Sequence, residues 1–373
     1  MLVFVSPLYL IETIRQRADR FITLKQIIPM KKIMLFAALL TAGCSITYAQ
    51  DESLTISGSV DAYYKYDFSK YKNEDGLSNI PTSFADEQNS ISLGMINLIL
   101  GKTVGKASFV GDISFGPRGQ GQSLLGERDG NSFHIQNLYM TYGFTDKFSM
   151  TAGFMGTFVG YEIISPTGNF NYSTSYLFTN GPFQNAGIKA EYAFSDKVGL
   201  MVGLFNDWNV YQDFNGVSDF GAQLSLAPVE GWEAYVNFLT GSPSGTIVDL
   251  TTTYDITDAF KLGLNAADFS ASDDDDGGYS GGALYAQYGF SDAFALGVRG
   301  EYFKLKDIGS GDDLMEGSSV VGLTLSANVK AGPLTIIPEF RFDNSSDELF
   351  YKNVSMDPTK SASQFSIAAV YAF

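Results

Sequence analysis

Phe365-Ser366-Ile367-Ala368-Ala369-Val370-Tyr371-Ala372-Phe373 ends the chain. Every second residue of it (Phe365, Ile367, Ala369, Tyr371, Phe373) is apolar, and those between are mostly small. Side chains of a strand point to alternate faces, so this segment has one lipid-compatible face and one narrow inner face. Such a strand suits a sheet closed into a barrel, because closure leaves no unpaired backbone edge in lipid. The alternation is plainer at 54–68. Leu54, Ile56, Gly58, Val60, Ala62, Tyr64, Tyr66 and Phe68 alternate there with Thr55, Ser57, Ser59, Asp61, Tyr63, Lys65 and Asp67.

Working outward, the same period predicts further strands at 89–101, 106–116, 134–144, 147–157, 186–194, 197–207, 219–227, 231–240, 247–256, 259–268, 280–290, 293–303, 319–330, 333–343 and 363–373. Each is near the roughly 9–11 residues that a tilted strand needs to cross a bilayer. The expected fold is all-β: a transmembrane antiparallel up-and-down barrel of about 16 strands, an even number as in bacterial barrels. Connections alternate between short and long. Four short ones share a form, Phe144-Thr145-Asp146-Lys147-Phe148, Phe194-Ser195-Asp196-Lys197-Val198, Ile256-Thr257-Asp258-Ala259-Phe260 and Phe290-Ser291-Asp292-Ala293-Phe294. Ser/Thr-Asp turns the backbone by local side-chain bonding, and the flanking apolar residues anchor strand ends at the membrane edge. Long connections are expected at 69–88, 117–133, 158–185, 208–218, 241–246, 269–279, 304–318 and 344–362. Short periplasmic turns and long extracellular loops are the outer-membrane arrangement.

Composition agrees. Tyr 21 and Phe 30 against Trp 2 leave Tyr and Phe to build any interfacial girdle. Mean hydropathy near zero excludes a helical membrane bundle. Lys31 and Lys32 precede the apolar run 33–40 and then Thr47-Tyr48-Ala49, which reads as a signal peptide over 30–49 with 1–29 an over-extended start. That run is too short for a membrane helix. Cys44 follows Leu40-Thr41-Ala42-Gly43, a loose lipobox, and is read as a small leader residue. Cleavage after Ala49 removes this single Cys, and with it any disulfide, zinc or thiol chemistry. The remainder, 50–373, is read as the barrel. The formal net charge of −17 excludes nucleic acid as a partner. The run Asp273 to Asp276 reads as a solvated loop, and no segment has metal-ligand or cofactor spacing.

A sixteen-stranded barrel is wide enough for an aqueous channel. Residues expected to line it are Asp61, Asp67, Asp112, Glu191, Asp207, Glu233, Asp249, Asp255, Glu301, Glu339 and Asp343, with Lys65, Lys189, Lys261, Arg299, Lys330 and Arg341 against them. Acids outnumber bases, which predicts a mild cation preference, although paired charge bracing the wall explains single residues equally well. The longest loop, 158–185, holds Tyr161, Asn169, Asn171, Tyr172, Ser175 and Tyr176, and Glu162 is its only ionised residue. A loop so rich in aromatics and amides is expected to fold into the lumen as a constriction.

The stretch 135–192 resembles the OmpL-like β-barrel porins of Bacteroidetes outer membranes. The resemblance rests on Asn137-Leu138-Tyr139-Met140-Thr141-Tyr142, Gly153-Phe154-Met155-Gly156-Thr157, Gly160-Tyr161-Glu162, Asn171-Tyr172-Ser173 and Gly187. It implies an integral outer-membrane pore of a Gram-negative bacterium and supplies no substrate. Phe373 likewise resembles the C-terminal signal read by the barrel assembly machinery, and trimers suit sixteen-stranded porins by analogy. The expected function is passive diffusion of small hydrophilic solutes. A barrel whose outer loops bind or adhere is the alternative. A hydrolase is less favoured, because no Ser follows the single His134 at close spacing. A plugged active transporter has no room before Leu54.

Overall fold

The structure is a computed structural model that describes residues 53–116, 118, 133–214, 216–272, 277–309 and 311–373. The expected leader at 30–49, the stretch 1–29, Cys44 and Asp273 to Asp276 lie outside the described residues.

Strands follow in chain order: β1 (Thr55–Asp67), β2 (Ser90–Val104), β3 (Ala107–Phe115), β4 (Phe133–Thr145), β5 (Phe148–Gly156), β6 (Gln184–Ser195), β7 (Val198–Phe205), β8 (Asp219–Leu226), β9 (Trp232–Gly241), β10 (Gly245–Asp255), β11 (Phe260–Ser270), β12 (Gly278–Ser291), β13 (Phe294–Leu305), β14 (Ser319–Ala331) and β15 (Leu334–Ser345). β16 (Phe350–Tyr351) and β17 (Pro358–Thr359) form a small hairpin within the last loop. β18 (Ser361–Ala372) then pairs with both β15 and β1, so that sixteen antiparallel strands close on themselves. At the seam Gly58 and Phe373 exchange both main-chain hydrogen bonds at 3.0 Å.

The period-two pattern sets the faces. In β18, Gln364, Ser366, Ala368 and Val370 point inward and are buried, while Ile367 and Tyr371 are exposed outside. Leu138, Met140, Leu284, Leu323 and Phe340 are each more than half exposed on the outer wall. An apolar band of that extent is unstable in water and matches hydrocarbon. Exposed Tyr142, Phe144, Tyr192, Phe194, Trp232, Tyr288, Phe290, Tyr371 and Phe373 gather near the short-turn ends of their strands as an aromatic girdle.

The short turns close as their sequences imply. Thr145 Oγ1 accepts from the N–H groups of Lys147 (3.2 Å) and Phe148 (3.1 Å), and Thr257 Oγ1 does the same for Ala259 (3.3 Å) and Phe260 (3.0 Å). Phe144 and Phe148 then meet across the turn at 5.4 Å between ring centroids, and Phe290 and Phe294 at 5.5 Å. Two expectations are corrected. The connection 241–246 is not long: β9 and β10 stay paired up to Gly241 opposite Gly245, which leaves only 242–244 to turn. Asp207 is not on the wall: β7 ends at Phe205, and Asp207 lies in the next loop, its N–H bonded to Asp213 and its carboxylate to Ser218.

Candidate functional site

The chain between β5 and β6, residues 157–183, runs inside the barrel. Its local folds follow from short polar side chains. Ser165 caps a 3-10 turn over Pro166–Gly168. Asn169 bonds the main chain of Ile163 with both ends of its amide. Ser175 Oγ accepts from the Phe178 N–H at 3.0 Å and so starts the helical turn α1 (Tyr176–Asn180).

Charged wall residues grip the main chain of this segment. Glu339 on β15 accepts the successive N–H groups of Tyr172 (2.8 Å) and Ser173 (3.1 Å). Glu301 on β13 accepts those of Tyr176 (3.0 Å) and Leu177 (2.9 Å). Arg299 donates to the carbonyl of Ser173 at 2.7 Å and to that of Thr174 at 3.3 Å, and Arg341 donates to the Thr174 carbonyl at 2.6 Å. The loop's single acid, Glu162, meets Arg299 at 2.6 Å, and it also accepts from the Ser175 N–H (2.7 Å) and the Tyr285 hydroxyl (3.2 Å). Hydrogen bonds with an ionised partner contribute about 1.5–3 kcal/mol each. Arg299 is ion-paired with Glu162 and Arg341 with Asp343 at 2.9 Å, whereas Glu301 and Glu339 are satisfied by main-chain N–H groups of the segment.

Loop side chains fill the remaining space. Asn171 donates to Ser326 Oγ at 2.7 Å, and the Phe170 carbonyl accepts from Asn328 at 2.9 Å. Tyr161 stacks on Tyr285 at 4.2 Å between centroids. Glycines on the wall make the room: a Cβ at Gly263 would lie 2.3 Å from the Tyr161 hydroxyl, and one at Gly297 would lie 2.3 Å from the Phe170 ring. The Tyr172 hydroxyl donates to Asp61 at 2.6 Å and that of Tyr176 donates to Asp343 at 2.7 Å. Burial, with the nearby carboxylates, pushes both phenols well above the usual tyrosine range, so both remain donors.

Apolar packing completes the fill. Ile80 from the first long loop, Phe350 from the last, and Phe158 and Leu177 from the inner segment share a buried cluster with Leu239, Ile247, Tyr279 and Phe303 of the wall. On the opposite side Ile164 and Phe183 pack on Met95 of β2. The outer part of the lumen is thus packed like a protein core.

The expected lining residues separate into two sets. Asp61, Lys65, Asp112, Asp249, Arg299, Glu301, Glu339 and Arg341 face inward, yet they are buried rather than bathed in water. The inner segment bonds Asp61, Asp249, Arg299, Glu301, Glu339 and Arg341, whereas Asp112 accepts from Asn97 and Asn137 of the wall. Lys189 pairs with Glu191, and Lys261 with Asp255, both at 3.0 Å near the short turns, where they remain accessible. Glu233 faces the same region, half-buried beside Tyr235. His134 is buried within β4, in register with Ser114 of β3. Among the described residues no His, Cys, Asp and Glu side chains gather as a metal site.

Arg118 is the residue that sequence reasoning missed. It lies in the second long loop but reaches into the lumen. Its guanidinium sits 4.8 Å from the ring centroids of both Phe84 and Tyr172, donates to the Ile164 carbonyl at 3.1 Å, and approaches Asp61 at 3.6 Å. A single Arg after Pro117 in a Gly-rich loop carries no signal of that destination.

Solved structures share this architecture at low identity. The chain is similar to an anion-selective porin from Comamonas acidovorans (13% identity, TM-score 0.57, covering 86% of this chain and 99% of that one). It is similar to Salmonella typhi OmpF in complex with daunomycin (10%, 0.55, 87% and 100%). It is also similar to the trimer form of OmpT, an outer-membrane protein of Vibrio cholerae (13%, 0.53, 86% and 99%). Among curated protein sequences none matches. Residues 53–373, the whole of the closed barrel with its inner segment, match one protein family from end to end, and the chain belongs to it: "Putative beta-barrel porin-2, OmpL-like", integral porins of the outer membrane.

Proposed function

We propose that this outer-membrane porin passes small hydrophilic solutes by diffusion and that residues 157–183 form its constriction. The observation that carries the reading is the inner segment gripped across a sixteen-stranded barrel, a width that wall side chains alone do not fill. Below the segment, the polar and accessible Lys189, Glu191, Lys261 and Asp255 give solutes a wet chamber. A mild cation preference follows from the net charge of −17 and from acids such as Glu74, Asp75, Asp307, Asp313, Glu316 and Glu348 in the long loops. The accessible wall pairs are balanced, so the outer mouth is the selective part.

Several features complete the proposal. A leader over 30–49 directs export, the assembly machinery reads the strand that ends in Phe373, and the barrel sits in lipid as a homotrimer, the last by analogy with the trimeric neighbour. Single-channel conductance in a planar bilayer under a salt gradient tests the function. Discrete steps with a reversal potential on the cation side support it; an anion-side potential removes the selectivity claim. A second reading, a barrel whose outer loops bind or adhere, is favoured by the apolar packing of the outer lumen. A refolded barrel without steps, even after removal of the inner segment, selects that reading.

A further inference from the structure

We infer that the lumen is closed at rest, with Arg299, Glu301, Glu339 and Arg341 acting as a latch that must release the inner segment before solutes pass. The inference rests on the pore reading above and concerns how that pore opens. Each of the sixteen barrel strands contributes at least one inward side chain that is nine-tenths or more buried, from Asp61 on β1 through Asn97, Asn137, Asn237 and Arg299 to Ser366 on β18. A channel open from end to end would leave wet inward side chains at every level of one sector, whereas the accessible pairs Lys189–Glu191 and Lys261–Asp255 lie toward the short turns. The inner segment touches the wall on opposite sides, by apolar contact on β2 and by the Gly160 N–H donated to Asp249 on β10 at 2.9 Å, with the charged contacts on β13 and β15 between them.

The latch has the properties that release requires. It holds main-chain groups of residues 172–177 by hydrogen bonds alone, with no covalent tie. Each carboxylate takes two successive N–H groups, so losing one carboxylate frees two donors at once. Replacing Glu339 or Glu301 by Gln keeps the shape but leaves one acceptor oxygen, and the amide then faces an N–H it cannot accept.

The test is single-channel recording on the refolded full chain and two variants. Wild type is expected to stay closed for most of each trace, with brief openings. The double variant E301Q/E339Q is expected to raise the open fraction at least ten-fold at unchanged step height. A variant with 158–182 replaced by a short Gly-Ser turn is expected to conduct steadily with larger steps. Wild type that stands continuously open, whatever its step height, overturns the closed state. An unchanged open fraction in E301Q/E339Q overturns the latch. A loop-deleted barrel that folds, shown by its heat-dependent gel mobility, yet stays silent removes the pore reading itself.

Discussion

Arg299 and Glu162 meet at 2.6 Å with side chains 1% and 4% exposed, whereas Lys261 and Asp255 meet at 3.0 Å with side chains 43% and 52% exposed. Both are inward ion pairs of one barrel, yet they do different work. The outer pair sits in a packed interior. There the cost of removing charge from water is offset only by tight geometry and further hydrogen bonds, so losing one partner leaves an uncompensated buried charge. The pair near the short turns lies in solvent, where screening and side-chain entropy leave it a contribution of about 0–1 kcal/mol. The same residue types therefore fasten a loop in one half of the lumen and tune a wet surface in the other.

The sharpest way to break this comparison is to remove the inner segment. Replacing 158–182 with a short turn is expected to raise single-channel conductance several-fold; an unchanged conductance would place the narrow part elsewhere. Next in size, Arg299→Ala strands Glu162 and is expected to cost about 3–5 kcal/mol, read as a lowered midpoint of heat-dependent gel mobility or as new protease cleavage within 157–183. Tyr172→Phe removes the hydroxyl that Asp61 accepts and is expected to cost about 1–3 kcal/mol. It should also loosen Arg118, detectable as faster hydrogen exchange at Ile164. Gly297→Ala forces the Phe170 ring aside, at about 1–3 kcal/mol for an overpacked contact, visible in the same melts. The smallest effect is expected from Lys261→Ala, under about 1 kcal/mol in stability, with the reversal potential moving slightly further to the cation side. An Arg299→Ala effect no larger than that of Lys261→Ala would erase the distinction between the halves.

Much of the barrel was legible in the chain. Alternation over 54–68 set Asp61, Lys65 and Asp67 inward, and β1 places them there. The Thr-Asp turn at 145–146 closes through the hydroxyl bonds its composition implies. Where reading by period failed, it failed at strand ends: Asp207 keeps the parity of β7 but follows its last paired residue, and 241–246 has loop composition while its strands remain paired to the tip.

The site was legible only in direction. Parity shows that Arg299, Glu301, Glu339 and Arg341 face the lumen, but water and a loop main chain are equally good partners for a charge on an inner wall. Which one it meets depends on whether residues distant in sequence arrive there, and no local pattern encodes that. Arg118 shows it most clearly, since its partners Phe84, Tyr172 and Asp61 come from three separate segments. The strands, their faces, the closure and the lipid band are written in the chain, because all of these follow from a two-residue period acting on neighbours. Tertiary structure alone decided that the outer lumen is packed and its charges spent on holding a loop, because the hydrogen bonds that settle it join residues more than a hundred positions apart.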